Sequence, residues 1–369
     1  MYKIVQMVPA LGWGGAQVFC IQLCNQLAAY KDYSVTLISM YDYDATKHLP
    51  LSMIDKRVKF ITLGKKHGID ISMFKKIYRA LKEIHPDVVH THLHSGYYCF
   101  YAYRKLKYPF KKIHTLHNLA KEDAPLHGRK MFKYFFKRNI IVPVTISEEV
   151  HKSAVKEYGN CIKTLINNGS DPVKPTNAFE ETKQKIDQLK KDKHTKVLLN
   201  VARISRQKNQ VLLIDCMRQI EQKNINAIAI ILGDYLPADK AIYDELIAKK
   251  PSNVHLLGKV TNVSDYLLNA DAFVLTSLFE GLPISLLEAL SAGAIPICTP
   301  VGGIINIVTK DIGFLSNDIS TDAYLSAMNS FFNANNTELN RIKENGKRLY
   351  EQEFSMKSCA AKYDALYHA

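Results

Sequence analysis

Two carboxylates, Glu280 and Glu288, stand eight residues apart in the stretch FEGLPISLLEA, residues 279–289, around Gly281-Leu282-Pro283. Proline is favoured in the first turn of a helix, so a helix is expected to begin near Pro283. Glu280 then sits on the loop before it, and Glu288 about one and a half turns inside. Helix rise and loop reach set the two acids about 10 Å apart, so they are not an adjacent acid–base pair. They suit gripping two parts of one long ligand. The helix N-terminus between them favours a phosphate, so a sugar, a diphosphate and a ribose in a row would fit. The plainer reading is a loop glutamate followed by an exposed helix glutamate.

Other residues bear on that choice. The apolar run Val197–Val201 leads into Ala202-Arg203-Ile204-Ser205-Arg206-Gln207-Lys208. Arg203 and Lys208 fall just past a strand end, where cations can neutralise a diphosphate; taken alone, this is equally an exposed basic loop. Near the start, Ile4–Val8 runs into Pro9-Ala-Leu-Gly-Trp-Gly-Gly15, followed by a helical pattern from Ala16. Gly14 and Gly15 let a backbone approach a ligand closely, and the helix N-terminus offers free N–H groups to a phosphate. The spacing is not that of the dinucleotide fingerprint, which argues against a dehydrogenase.

Short β-rich runs must position these residues. In the first half the strand candidates are Ile4–Val8, Ser34–Ser39, Val58–Thr62, Val88–His90, Lys112–Thr115 and Ile140–Thr145, with helical patterns such as Gln17–Tyr30 and Ser72–Ile84 between them. After a polar gap at 172–196, from Ala178 a solvated helix, come Val197–Val201, Ala227–Leu232, Val254–Leu257, Ala272–Thr276 and Ile295–Cys298. Continuous apolar strands separated by helices indicate parallel sheets covered on both faces. The fold class expected is α/β, two Rossmann-like doubly wound domains facing a cleft. The boundary is set near Asn168–Lys174, where Asn-Gly and Asp-Pro punctuate the chain. The first domain covers 1–170 and regains a returning C-terminal helix, 355–369, read as a docking helix and not a site; the second covers 171–354. In such sheets ligands bind beyond the carboxyl ends of the strands, where the suggestive residues fall.

Composition narrows the partners. The formal charge of +14 favours nucleotides, phosphorylated substrates, nucleic acid or anionic lipid. Seven scattered Cys without a CxxC read as reduced thiols in a cytosolic protein, not as a disulfide framework or a zinc site. The N-terminal run lacks a signal peptide's long apolar centre, and no stretch of about 18 apolar residues marks a transmembrane helix. Membrane contact, if any, is expected to be peripheral.

In order, the chain carries GWGGAQ (12–17), PDVVHTHLHSG (86–96), HTLHN (114–118), NNGSD (167–171), VARISRQKN (201–209), LGD (232–234), HLLGKV (255–260), FEGLPISLLEALSAG (279–293) and TPVGGI (299–304). Over nearly its whole length it resembles the family 4 glycosyltransferases of the GT-B fold, and the E-x7-E spacing around Gly-Leu-Pro is the most specific piece. The resemblance implies a retaining, metal-independent enzyme that moves a sugar from a nucleotide-sugar donor, UDP-linked, to a glycan or lipid-linked acceptor in surface polysaccharide or glycolipid synthesis. It implies that Glu280 holds the donor sugar's hydroxyls and Glu288 the nucleotide ribose. Arg203 and Lys208 would stabilise the departing diphosphate, with Gly14 and Gly15 facing it from the other domain, and His117 would contact the donor sugar. Gly281, Leu282, Pro283, Ile284 and Val260 complete the implied donor site. No cofactor is implied, since the nucleotide-sugar is a substrate. Gln17 and Ile305-Asn306 depart from the family's usual Glu and Pro-Glu, which touches donor details and not the fold.

His90, His92 and His94 alternate, so the three could share one face of a strand; a zinc site would still need suitable geometry and a fourth ligand. An acceptor-side loop with one or two functional histidines is preferred, and a core histidine is the plain alternative for His117. The Asp-x-Asp of DYDAT, 42–46, is read as a surface turn. The stretch GRKMFKYFFKRN, 128–139, interleaves Arg129, Lys130, Lys133, Lys137 and Arg138 with four aromatics. As a helix it suits an anionic membrane surface, at the inner face of the membrane; the alternative is a core helix with a solvated basic face. No nucleic-acid partner is expected, because the aromatics lack a single-strand-binding pattern. The rival functions are a GT-B nucleotide-sugar epimerase and a non-catalytic nucleotide- or glycan-binding protein.

Overall fold

The run Ile4–Val8 is buried along its whole length, as a strand covered on both faces must be. In the computed structural model, which describes residues 1–369, it is the third strand of a seven-stranded parallel sheet. The strands are β1 (Tyr2–Val8), β2 (Tyr33–Ser39), β3 (Lys59–Thr62), β4 (Val88–His92), β5 (Lys111–Leu116), β6 (Val142–Thr145) and β7 (Thr164–Leu165). Their order is β3-β2-β1-β4-β5-β6-β7, with Ile4 in register with both Val35 and Val88. This sheet belongs to a unit made of Met1–Ser170 and Phe354–Ala369.

Asp171–Glu353 form a second unit. Its strands are β8 (Lys196–Val201), β9 (Ala227–Leu232), β10 (Val254–Gly258), β11 (Ala272–Leu275), β12 (Ile295–Cys298) and β13 (Phe314–Leu315). They are all parallel, in the order β10-β9-β8-β11-β12-β13. Leu213, Met217, Ile231, Val274, Ile297 and Phe331 are at the heart of its core. Both sheets reverse their winding once, between β1 and β4 and between β8 and β11. Those are the switch points at which open α/β sheets leave a crevice beyond the strand ends.

Several local expectations shift. β7 and β13 are two residues long and partly buried, too short to show a periodicity in sequence. The polar helix after the boundary, Phe179–Leu189, buries Thr182 and Ile186 and is solvated elsewhere. β4 extends past His90 to His92, and Leu93 then takes a left-handed conformation with φ 54°. His94 therefore leaves the strand and precedes a short helix; His90 and His92 share a face, but the triplet does not. DYDAT is a turn closed by Asp44, whose Oδ1 accepts from the Thr46 amide and hydroxyl.

The C-terminal helix Met356–His368 is capped by Ser355, whose Oγ accepts from Ser358 N. It packs against the helix Gly15–Leu27 and buries Cys359, Tyr363 and Tyr367. Gly169 makes room for it: a Cβ there would lie 2.6 Å from Cys359 Cβ and 2.9 Å from Ser355 O.

Candidate functional site

At the β8–β11 switch point the loops after the two strands are stitched together. Leu278 N donates to Gln207 O at 2.8 Å, Gln207 Nε2 to Phe279 O at 3.0 Å, and Thr276 Oγ1 to Lys208 O at 3.0 Å. This places Lys208 Nζ 2.5 Å from Glu280 Oε1, which also accepts from Ser277 Oγ at 2.6 Å. Glu280 is 5% exposed. A buried carboxylate is tolerable there because it is paired and hydrogen-bonded. Gly302 holds the same loop from behind. Its φ is +56°, and a Cβ would fall 1.9 Å from Glu280 O, so glycine is required.

The helix after Glu280 runs Ile284–Ala292 with Pro283 as its N-cap. It has no side-chain cap and no acid in its first turn. Its leading amides are therefore open to an anion. Gly281, Leu282, Pro283 and Ile284 are buried around this end. Glu288 lies in the second turn, partly buried and without a hydrogen bond in the protein. Burial first, and then the charge of Asp171, push its carboxyl up to about 7. Ribose hydroxyls donating to it would favour the ionised form.

The two cations expected to work together have different settings. Lys208 is held against Glu280, whereas Arg203 is exposed on the loop, where its backbone carbonyl accepts from Gln210 Nε2. Arg203 is thus available to a ligand and Lys208 already engaged. Val260 follows β10 and borders a pocket of about 590 Å³ that also involves Asn177, Lys185, Lys259, Thr261 and Tyr266. None of Lys208, Glu280 or Glu288 lines that pocket, so of the expected donor residues it concerns Val260 alone.

In the first unit, Gly14 is the N-cap of the helix Gly15–Leu27, again with no side-chain cap and no acid in the first turn. His117 follows β5. Its backbone N, and that of Asn118, donate to Asp123 Oδ1 at 2.8 and 3.1 Å. Burial pushes the Asp123 carboxyl up to about 7 against these two bonds. The His117 ring lies edge-on to Phe19 and 2.9 Å, Nε2 to Nδ1, from His92. Burial lowers His117 to about 3, and it lowers His90 and His92 well below the usual range as well. These imidazoles are neutral at pH 7.

Every ring nitrogen of His90 and His92 already has a protein partner, and no group of three or more His, Cys, Asp or Glu is arranged to hold a metal ion. The basic aromatic stretch is the helix Leu126–Lys137, but Phe132, Phe135 and Phe136 are buried in the core. Phe132 stacks on His114 at 4.2 Å, and Arg129 pairs with Glu157. What remains outside is Lys130, Lys133, Lys137 and Arg138 with Tyr134 and Leu126. The 3.6-residue period turns three of the rings inward, so the helix packs on the core and presents a solvated basic face. Sequence reading missed Ser277, Asp171, Asp123 and Gln6: Gln6 and Asp171 act on residues far along the chain, and Ser277 and Asp123 on residues a few positions away, where no periodicity marks them.

Residues 181–349 match the family described as Glycosyl transferases group 1, and residues 13–174 match Glycosyltransferase Family 4. The UDP-Gal:alpha-D-GlcNAc-diphosphoundecaprenol alpha-1,3-galactosyltransferase of Escherichia coli is 27% identical over 342 residues, 88% of this chain and 86% of that protein. An uncharacterized glycosyltransferase of Methanocaldococcus jannaschii is 30% identical over 231 residues, 58% of this chain and 56% of its own length. The match thus spans little more than half of that relative. Among solved structures, Anabaena HepE in complex with UDP-glucose has a TM-score of 0.80 at 16% identity, covering 100% of both chains.

Proposed function

The chain is a GT-B glycosyltransferase related to the group 1 and family 4 glycosyltransferases, and we propose that it moves a sugar, with retention, from a UDP-linked donor to a glycan or lipid-linked acceptor in surface polysaccharide or glycolipid synthesis. The observation that carries this reading is the buried Lys208–Glu280 pair at a switch point, beside an uncapped helix N-terminus. In the reaction the bond from the sugar's C1 to the phosphate oxygen breaks, and its electrons stay on that oxygen. The acceptor hydroxyl attacks C1 from the same face, and its proton passes to the departing diphosphate. Negative charge therefore grows on the leaving group. Lys208, the Arg203 guanidinium on the loop and the leading amides of the helix that begins at Ile284 stabilise such charge. Glu280 takes the sugar hydroxyls, Glu288 the ribose, and His117 the donor sugar, with Gly14 and Gly15 at the diphosphate and Val260 at the base.

The choice of uridine and of a lipid-linked acceptor is supported by the name of the E. coli relative and by the UDP-glucose bound to HepE. A lipid-linked acceptor calls for contact with an anionic inner membrane leaflet. The exposed Lys130, Lys133, Lys137 and Arg138 supply it electrostatically, with Tyr134 and Leu126 as the apolar contacts. No helix is long and apolar enough to cross a membrane.

The first test is a thermal-shift titration with UDP, GDP, ADP and their sugar conjugates, with and without Mg2+. A ligand that binds only the folded state raises the melting temperature. UDP and a UDP-sugar should do so without the metal; no shift with any nucleotide would overturn the donor site. An inverted anomeric centre in the product would overturn retention.

A further inference from the structure

Buried polar groups must settle each hydrogen by agreement with their neighbours. In the first unit they form an unbroken line from the C-terminal helix to His117. His117 Nε2 meets His92 Nδ1 at 2.9 Å, and His92 Nε2 meets Gln6 Oε1 at 2.8 Å. Gln6 Nε2 donates to the Tyr367 hydroxyl at 2.8 Å, which meets His90 Nδ1 at 2.8 Å. His90 Nε2 meets Thr115 Oγ1 at 2.7 Å, and Thr115 meets the Tyr363 hydroxyl at 2.9 Å. All the members from Gln6 to Tyr363 are fully buried, at 0 or 1% exposure.

Each link holds one hydrogen, and a neutral imidazole carries one ring proton, so the direction of the link at one ring nitrogen fixes the link at the other. The Gln6 amide is the link that proton movement alone cannot reverse, because its oxygen only accepts and its nitrogen only donates. With that oxygen on His92, His92 Nε2 must carry a proton. A neutral His92 then has a bare Nδ1, so His117 Nε2 must donate to it. His117 Nδ1 is left bare, and no protein group bonds it.

We propose that Gln6 and Tyr367 are positioning residues which, through His92, hold His117 with its proton on Nε2, so that Nδ1 is offered as a hydrogen-bond acceptor to a hydroxyl of the bound sugar. This rests on the reading of His117 as a contact to the donor sugar. It gives the C-terminal helix a part in transfer although none of its residues touches substrate. Asp123 complements the relay by fixing the His117 backbone, so amide and ring are set from two sides.

The test is a tautomer measurement. Long-range 1H–15N correlations on the full chain labelled with 15N-histidine distinguish the two neutral forms of His117 without reference to activity. The wild type should show the proton on Nε2. Gln6→Met removes both amide links; Tyr367→Phe removes the group that holds the amide nitrogen. Each should mix the His117 tautomers and lower kcat about tenfold, in the range for a lost outer hydrogen-bond partner, with donor KM within about threefold. If Gln6→Met fails to fold, the wild-type tautomer and Tyr367→Phe still decide. A proton on Nδ1 in the wild type, or Tyr367→Phe with tautomer and kcat unchanged, overturns the proposal. His117→Ala separates the two readings: wild-type transfer there removes the sugar contact, and with it the catalytic role of the relay, whatever the tautomer.

Discussion

At the β8–β11 switch point the side chains are charged: Lys208 against Glu280, with Arg203 beside them on the loop. Beyond the ends of β4 and β5 they are neutral: His92 and His117 share a hydrogen, and burial keeps both imidazoles uncharged at pH 7. The first six strands follow the same order in the two units, so strand order does not dictate this contrast. The proposed function gives each set of side chains a different task. A leaving diphosphate gathers charge, and fixed charge answers it. A sugar hydroxyl needs a donor or an acceptor in a known place, and a neutral ring answers that once its tautomer is set. Each unit also keeps one carboxyl raised to about 7. Asp123 in the first is bound to two backbone amides, whereas Glu288 in the second has no hydrogen-bond partner.

The largest expected effect breaks the charged site. Glu280→Ala should lower transfer by about 10²–10³, the scale of losing one fixed electrostatic contact to a transition state, while UDP affinity stays within about threefold. Lys208→Ala should lose as much transfer and also about 3–5 kcal/mol of stability in urea unfolding, because it leaves a buried carboxylate uncompensated. The double variant Lys208→Met with Glu280→Leu separates the two effects. It should regain stability and not activity. Recovery of both would make the pair a structural strut and the contrast between units accidental.

The next effect sharpens the comparison between Glu288 and Asp123. The folded-state pKa of Glu288 is raised from 4.5 to about 7. Its contribution to stability is therefore full below about pH 4.5 and is lost as pH rises through 7. Glu288→Gln removes that loss, and at pH 8 the variant should be more stable than the wild type by on the order of 2 kcal/mol. UDP affinity should move the other way. It should tighten in the wild type between pH 6 and 8, as the Glu288 carboxylate, the proposed acceptor for the ribose, ionises. It should be about tenfold weaker in Glu288→Ala, the loss of one charged hydrogen-bond partner. Calorimetry of UDP binding against pH checks both. A pH dependence that survives Glu288→Gln would assign the titration to another group, Asp123 or the terminal phosphate of UDP itself. Equal affinity losses in Glu280→Ala and Glu288→Ala would contradict their separate roles.

What could be read from the sequence differs between the two units for the same physical reason. The strand runs, Gly281-Leu282-Pro283 and the two glutamates were legible because their signal is local: a period, a turn residue, a cap. The loops carrying Lys208 and Glu280 were expected at strand ends, and they lie there; that the two side chains would pair across neighbouring strands depends on strand order, which no local pattern encodes. The relay under His117 was invisible for a stronger version of that reason. Gln6 sits in an apolar strand and Tyr367 in a helix read as docking only, 361 residues apart. The three alternating histidines misled because a period of two cannot announce the residue that ends a strand, and Leu93 ends this one. In the helix Leu126–Lys137 the period was legible, but the burial of three of its four aromatics was not, since that is set by His114 and the β5 face it covers.

The smallest effect concerns the charge of the first unit, which lies outside its site. With Phe132, Phe135 and Phe136 turned into the core, the helix Leu126–Lys137 has no aromatic face to insert into a bilayer, and the proposed contact is electrostatic, through its lysines. Each lysine near an anionic surface contributes about 1 kcal/mol, which is about fivefold in partitioning. Lys133→Gln alone should weaken flotation with phosphatidylglycerol-containing vesicles by about that factor, and more salt should weaken the wild type as well. Reversing Lys130, Lys133 and Lys137 together to Glu should abolish flotation while melting temperature and UDP binding stay as in the wild type. An apolar mode predicts a different pattern: flotation insensitive to salt, lost on Tyr134→Ala or Leu126→Ala and indifferent to the lysines. That outcome would move the membrane contact off the charged face, and the first unit would then use its surface as it uses its site, without charge.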